Sequence, residues 1–175
     1  NNLVRKMHAC ETMGATTIIC TDKTGTLTQN RMCVYDAQFY GLRGRSKLVD
    51  GESESRIISE AIACNSTAFL DCSNAEKPVA LGNPTEGALL LWLRDNGMDY
   101  LEIRESCEVL AQLPFSTERK FMATVVRSTE LQRNVLYVKG APEIVLAMCD
   151  STSGDVKSEE IKASLADYQA KAMRT

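Results

Sequence analysis

Hydrophobic and polar positions divide the chain into stretches of different period. Leu3, Val4, Met7 and Cys10 recur at helical spacing, which predicts an amphipathic helix ending at Gly14, a residue suited to a C-terminal cap. Residues 16–20 are β-branched and apolar and read as a short buried strand. Residues 21–28 carry hydroxyls and Gly25 and read as a loop at that strand's C-terminal end. Strand-like character follows from residue 31 to about 44, with Met32, Val34, Phe39 and Tyr40, and residues 43–55 read as an exposed turn. Ile57, Ile58, Ala61, Ile62 and Cys64 mark a helix, and residues 71–83 a loop. Asn83 before Pro84 is a helix start signal, placing a helix over residues 85–95 that stops near Asn96-Gly97. Residues 109–113, 121–127 and 134–138 read as three strands. Pro142 opens a helix through Ile144, Val145 and Met148, and residues 158–173, with Ile161, Leu165 and Tyr168 on one stripe, form another. No internal repeat or low-complexity tract interrupts this order.

The character changes near residue 30. A helix, a buried strand and a loop come first, as at the opening of an α/β unit. Later strands and helices predict an α+β class, an antiparallel β-sheet with flanking helices. The junction falls at residues 29–31, separating residues 1–29 from residues 30–175.

Composition narrows the class. With 175 residues, 44% hydrophobic and 25% charged, the chain suits one domain, or one domain and part of another, and not wholesale disorder. A net charge of −3 makes it a poor partner for nucleic acid or an anionic membrane, so no nucleic-acid partner is expected. The longest apolar run covers only residues 88–93, far below the roughly 18 residues of a spanning helix, and no secretory signal opens the chain. The expectation is a soluble chain. The seven cysteines are scattered without a CxxC pair, and His8 is the single histidine, which argues against zinc. Buried, reduced thiols are expected instead.

The candidate chemistry sits at residues 20–28, CTDKTGTLT. A carboxylate ending a buried strand of an α/β sheet points into the crevice where such sheets bind ligands. Gly25 permits a tight turn close to a phosphate. Hydroxyl and amide groups of residues 23–26 can donate to phosphoryl oxygens, and Lys23 adds positive charge. So placed, Asp22 can attack phosphorus and become an aspartyl phosphate, with Mg²⁺ neutralising the oxygens.

The string Asp22-Lys23-Thr24-Gly25-Thr26-Leu27-Thr28 resembles the phosphorylation signature of the P-type ATPases, cation pumps that phosphorylate their own aspartate. A chance match to seven fixed residues is on the order of one in a billion per position. Further motifs follow in family order. Residues 82–89 (GNPTEGAL) resemble the segment whose Glu hydrogen-bonds the adenine amino group. Residues 114–122 (PFSTERKFM) resemble the segment whose Phe stacks on adenine and whose Lys lines the pocket. Residues 139–143 (KGAPE) resemble the loop whose Lys sits deep in the ATP site, and residues 172–175 resemble the strand whose Arg reaches the phosphates.

The resemblance implies a piece of the haloacid-dehalogenase-like phosphorylation domain at residues 1–29. The nucleotide-binding domain then spans residues 30–175, truncated at its C-terminal end. It implies Asp22 as nucleophile, with Lys23, Thr24, Gly25 and Thr26 stabilising charge, and Asp22 and Thr24 holding Mg²⁺. It places Glu86, Phe115, Lys120, Met122, Lys139, Gly140 and Arg174 around ATP. Each also has an ordinary reading: Phe115 and Met122 as core residues, Glu86 as a first-turn acid at a helix N-terminus, the lysines as surface groups, Arg174 as part of a fraying end.

Residues 9–14 and 30–32 are similar to the plasma-membrane calcium pumps, whereas Pro142 in KGAPE is closer to the sarco/endoplasmic reticulum type. Short loops suit a compact bacterial relative. The implied intact protein is a cation-transporting, most simply calcium-transporting, ATPase. Its cytoplasmic portion, carrying these residues, joins further phosphorylation, actuator and transmembrane domains. Alternatives are a sodium/potassium- or proton-type pump, a heavy-metal pump, a haloacid-dehalogenase-type phosphatase, whose usual second Asp is replaced here by Thr24, and a non-catalytic interaction module. By itself the fragment is expected to bind nucleotide but not to turn over.

Overall fold

The helix expected around Ile57 to Cys64 is present as α1 (Ser53–Cys64), and both of its apolar sides are used. Ile58, Ile62 and Ala63 belong to a core with Leu48, Ala68, Leu90, Leu93, Met98 and Tyr100. Ile57, Ala61 and Cys64 belong to a second core with Val126, Val135 and Tyr137. α1 is therefore the middle layer, with helices on one side and a sheet on the other. The computed structural model describes residues 15–22, 26–29, 31–40, 47–49, 51–74, 78–151 and 156–175. The expected helix over residues 3–14 lies outside them.

After α1 a short antiparallel pair, β1 (Phe69–Asp71) and β2 (Val79–Leu81), leads to α2 (Pro84–Asp95). Asn83 starts α2 as its sequence suggests. Its Oδ1 accepts from the Thr85 N–H at 2.9 Å and the Glu86 N–H at 3.4 Å, and Pro84 occupies the first turn without wasting a donor. Gly87 lets the strand pair pack on α2, because a Cβ there would stand 2.3 Å from the Ala80 Cβ. α3 (Tyr100–Ser106) is capped by Asp99, which accepts from the Leu101 N–H at 2.8 Å.

The main sheet runs β3 (Glu108–Leu113), β4 (Phe121–Ser128), β5 (Arg133–Gly140), antiparallel in that order. Its registers include Met122↔Lys139 and Thr124↔Tyr137, and a register shift between Val109 and Ala111 interrupts the β3–β4 ladder. Met122, Thr124, Val126 and Ser128 alternate along β4 and are all essentially buried. Polar atoms between α1 and this face are matched to one another. Glu60 accepts from Tyr137 at 2.8 Å and Ser128 at 3.0 Å. The Asn65 side chain accepts from Thr124 Oγ1 at 2.9 Å and donates to the Tyr137 carbonyl at 3.2 Å. Among the described residues no buried side-chain polar atom lacks a partner.

α4 (Pro142–Ala147) and α5 (Ser158–Ala170) complete the chain. The Tyr168 hydroxyl donates to Asp36 and accepts from Gln38 Nε2 at 2.8 Å, tying α5 to the segment at residues 32–40. Ala172, at φ 55°, turns the chain out of α5.

The chain separates into two compact units, residues 1–31 and 32–175. In the first, the buried strand expected over residues 16–20 is not formed: Ile18 and Ile19 are 77% and 82% exposed. A buried parallel strand needs neighbours on both edges, and no strand ladder is formed over these residues. In the second, the strand expected from residue 31 is not formed over the described residues 32–40; Phe39 alone among them makes a bridge, and its ring centroid lies 5.8 Å from that of Trp92. The loop expected over residues 71–83 contains β2 and the end of β1, and α3 forms where no helix was anticipated. The expectation of buried thiols is also corrected. Among the described cysteines, Cys20, Cys33, Cys72 and Cys149 are exposed on irregular segments, Cys107 is half-buried, and only Cys64, whose thiol burial pushes up to about 12, is buried; Cys10 lies outside the described residues. Among the described residues no helix is long and apolar enough to cross a membrane.

Candidate functional site

Glu86 lies in the first turn of α2, where a carboxylate is favoured by the helix dipole. Its side chain turns away from that helix to the loop following α1. Oε2 accepts from Ser66 Oγ at 3.1 Å, the Thr67 N–H at 2.7 Å, Thr67 Oγ1 at 2.9 Å and the Ala68 N–H at 3.1 Å. Oε1 accepts from Lys139 Nζ at 2.7 Å. Lys139 reaches it because its register with Met122 puts it on the α1-facing side of β5, and its ammonium also donates to the Asn65 carbonyl. The Glu86 side chain is 9% exposed and that of Lys139 30%. Burial by itself pushes the Glu86 carboxyl up. The Lys139 hydrogen bond and charge and the Thr67 donors outweigh it and hold the group below the usual carboxylate value. Burial draws Lys139 down, with the Glu86 pairing opposing.

The pair borders a cavity of about 120 Å³ lined by Asn65, Ser66, Glu86, Leu89, Tyr137 and Lys139, among others. At roughly 30 Å³ per water that is space for about four waters, or for the edge of a heterocycle. An acceptor and a donor side by side against apolar walls suit a flat ring that carries a donor next to an acceptor.

The loop that holds Glu86 is itself held from behind. Arg104 of α3 donates from Nε to the Ala63 carbonyl at 2.8 Å and from Nη2 to the Ser66 and Ala68 carbonyls at 3.2 and 3.0 Å. Its guanidinium lies 5.1 Å from the Phe69 ring centroid and 4.9 Å from that of Tyr100.

The other residues singled out in the sequence are placed differently. Arg174 Nη1 donates to Thr85 Oγ1 at 2.9 Å, so it stands at the start of α2, on the residue that precedes Glu86. Met122 is 1% exposed and packs in the core in register with Lys139. Phe115, in the connection after β3, is 56% exposed and does not line the cavity. Lys120 sits at φ 59°, its carbonyl accepting from the Ala141 N–H at 2.9 Å. Gly140 has a packing reason for lacking a side chain: a Cβ would stand 2.4 Å from the Lys120 carbonyl oxygen and 2.6 Å from the Phe121 Cβ. In the first unit Asp22 and Thr26 are exposed, while Lys23, Thr24 and Gly25 lie outside the described residues. Among the described residues no group of three or more His, Cys, Asp or Glu is arranged to hold a metal.

Sequence reasoning missed Asn65, Ser66, Thr67, Ala68, Arg104 and Tyr137. The amides of residues 67 and 68 have no side-chain signature, and Ser66-Thr67 reads only as a polar helix exit.

Residues 54–175 match the family described as P-type ATPase, cytoplasmic domain N. The calcium-transporting ATPase PAT1 of Dictyostelium discoideum is 38% identical over 187 residues, covering 100% of this chain and 16% of that protein. Calcium-transporting ATPase 1 of Lactococcus lactis is 36% identical, covering 96% of this chain and 19% of its own length. The plasma membrane-type calcium-transporting ATPase 5 of Oryza sativa is 36% identical, with 98% and 17% covered. The chain thus spans under a fifth of the length of these relatives.

Proposed function

The chain belongs to the P-type ATPases and carries their cytoplasmic domain N, and on that premise we propose that residues 30–175 bind ATP through the Glu86–Lys139 cavity, within a calcium-transporting pump. The observation that carries this reading is the Glu86–Lys139 pair itself, joined at 2.7 Å between residues that both line the cavity. Adenine offers an amino donor next to a ring-nitrogen acceptor, which complements that pair. Guanine offers the reverse order at the same edge. Phe115 and Lys120 are proposed as nucleotide contacts outside this cavity, and Met122, 1% exposed, as core support in register with Lys139. Arg174, at the mouth of α2, serves the phosphates, with Gly140 keeping the turn after β5 narrow.

Residues 1–29 are read as a piece of the phosphorylation domain. Asp22 acts there as nucleophile toward the γ-phosphate, and Lys23, Thr24, Gly25 and Thr26 meet the charge developing on its oxygens. Mg²⁺ suits this set, since it is held by one or two carboxylates together with phosphate oxygens, and Asp22 is an exposed hard donor with the Thr24 carbonyl beside it in sequence. Its contribution when bound is charge neutralisation. In the intact pump, transfer of the phosphoryl group to Asp22 would drive calcium across the membrane, the cation being chosen by membrane segments outside this chain.

Calorimetric titration of the chain with ATP tests the reading, alongside Lys139→Ala. The expected affinity is about millimolar, roughly −4 kcal/mol, weakened by the substitution. Absence of saturable heat up to about ten times that concentration, or equal binding by Lys139→Ala, would refute it.

A further inference from the structure

We propose that Arg104 is a positioning residue for base selection, acting through the Ser66–Thr67 peptide without touching nucleotide; the proposal rests on the adenine reading of Glu86. The argument is covalent as well as spatial. The Ser66 carbonyl and the Thr67 N–H belong to one peptide unit, planar and trans, so they point in opposite directions. Arg104 Nη2 holds the carbonyl at 3.2 Å on one side, and Glu86 Oε2 takes the N–H at 2.7 Å on the other. The guanidinium therefore fixes the plane that aims the donor, and its charge polarises that donor.

A second tie makes the plane hard to turn. The same Nη2 holds the Ala68 carbonyl, and Nε holds the Ala63 carbonyl in the last turn of α1. Two aromatic faces, Phe69 and Tyr100, leave the guanidinium one orientation. With Oε2 occupied by four donors and Oε1 by Lys139, the carboxylate is held in one orientation, with Oε1 on the Lys139 side. Releasing the loop would free the carboxylate to rotate and blur the distinction between an amino and a carbonyl group on the base. A lysine keeps the charge but cannot span three carbonyls, since it lacks the planar fork.

The test compares ATP and GTP binding by the parent chain, Arg104→Lys and Arg104→Met, with thermal unfolding in parallel. A nitrogen–proton correlation spectrum of the parent and Arg104→Lys follows the Thr67 amide. The expected result is about a fivefold loss of ATP affinity in either variant, the size of one hydrogen bond, with GTP affinity unchanged. The Thr67 amide proton should shift upfield in Arg104→Lys. Equal loss for ATP and GTP would make Arg104 a structural residue only and overturn the proposal, as would an unmoved Thr67 amide. A parent chain that binds neither nucleotide would instead remove the adenine reading, and this inference with it. Arg104→Lys retains charge and stem, so it guards against a variant that fails to fold.

Discussion

Consider removing one member of the Glu86–Lys139 pair at a time. Lys139→Met keeps most of the stem and deletes the ammonium. Glu86 is then a carboxylate 9% exposed, with four donors still on Oε2 and none on Oε1. Breaking a fully buried pair costs about 3–5 kcal/mol. Here the lysine side chain is 30% exposed and water can reach Oε1 once it is gone, so about 2 kcal/mol is expected. Glu86→Gln should cost at least as much, about 2–3 kcal/mol, for a geometric reason. The amide oxygen must serve the four donors, which turns the NH₂ toward the ammonium. In the double variant no buried charge is left unpaired, so the combined loss should fall short of the sum by about 1 kcal/mol or more. Urea unfolding followed by fluorescence supplies the measurement, because Trp92 is the single tryptophan and packs against Phe39 in the helical layer. Slopes must agree among the variants for the midpoints to be compared. Single-variant losses that simply add, within about 0.5 kcal/mol, would refute the claim that the two groups stabilise each other.

Other outcomes follow from the same geometry. The folded Glu86 carboxyl titrates below its ordinary 4.5, so its contribution is complete above that pH and is lost as pH falls through the lower folded value. The stability gap between the parent and Glu86→Gln should therefore narrow in the acid limb, and a gap constant from about pH 6 to 3 would contradict the ion-pair reading. Tyr137→Phe takes one of two donors from buried Glu60 and should cost about 1.5–3 kcal/mol in urea midpoint, whereas a loss under about 0.5 would show that Ser128 suffices. Gly87→Ala drives a methyl against Ala80 and should cost about 1–3 kcal/mol of stability in the same urea assay, with Ala80→Gly in the Gly87→Ala background restoring part of it.

Much of the second unit could be read in the sequence, for reasons that are local. Asn83-Pro84 is a start signal whose mechanism is complete within four residues, and it appears in the structure as two hydrogen bonds to one side-chain oxygen. β3, β4 and β5 are six to eight residues long and rich in apolar and β-branched residues, enough for their strand character to show. The three-residue strands β1 and β2 are not, and they owe their pairing to the floor that α2 and Gly87 provide. α3 is too short for its few apolar residues to mark a period. The run over residues 16–20 failed in the opposite way: its composition suits a buried strand, but composition supplies no partner. Glu86 and Lys139 were legible only as members of motifs. What joins them is a pairing 53 residues apart, and what orients them is a set of main-chain amides held by an arginine in another helix. Main-chain donors and long-range register leave no trace in residue types.

The Tyr168 contacts with Asp36 and Gln38 have an architectural consequence. They close residues 36–168 into a ring of chain whose two ends lie side by side. A module with that property can be spliced into a loop of a host fold while adding little to the host's loop-closure entropy, because it spans only a short gap.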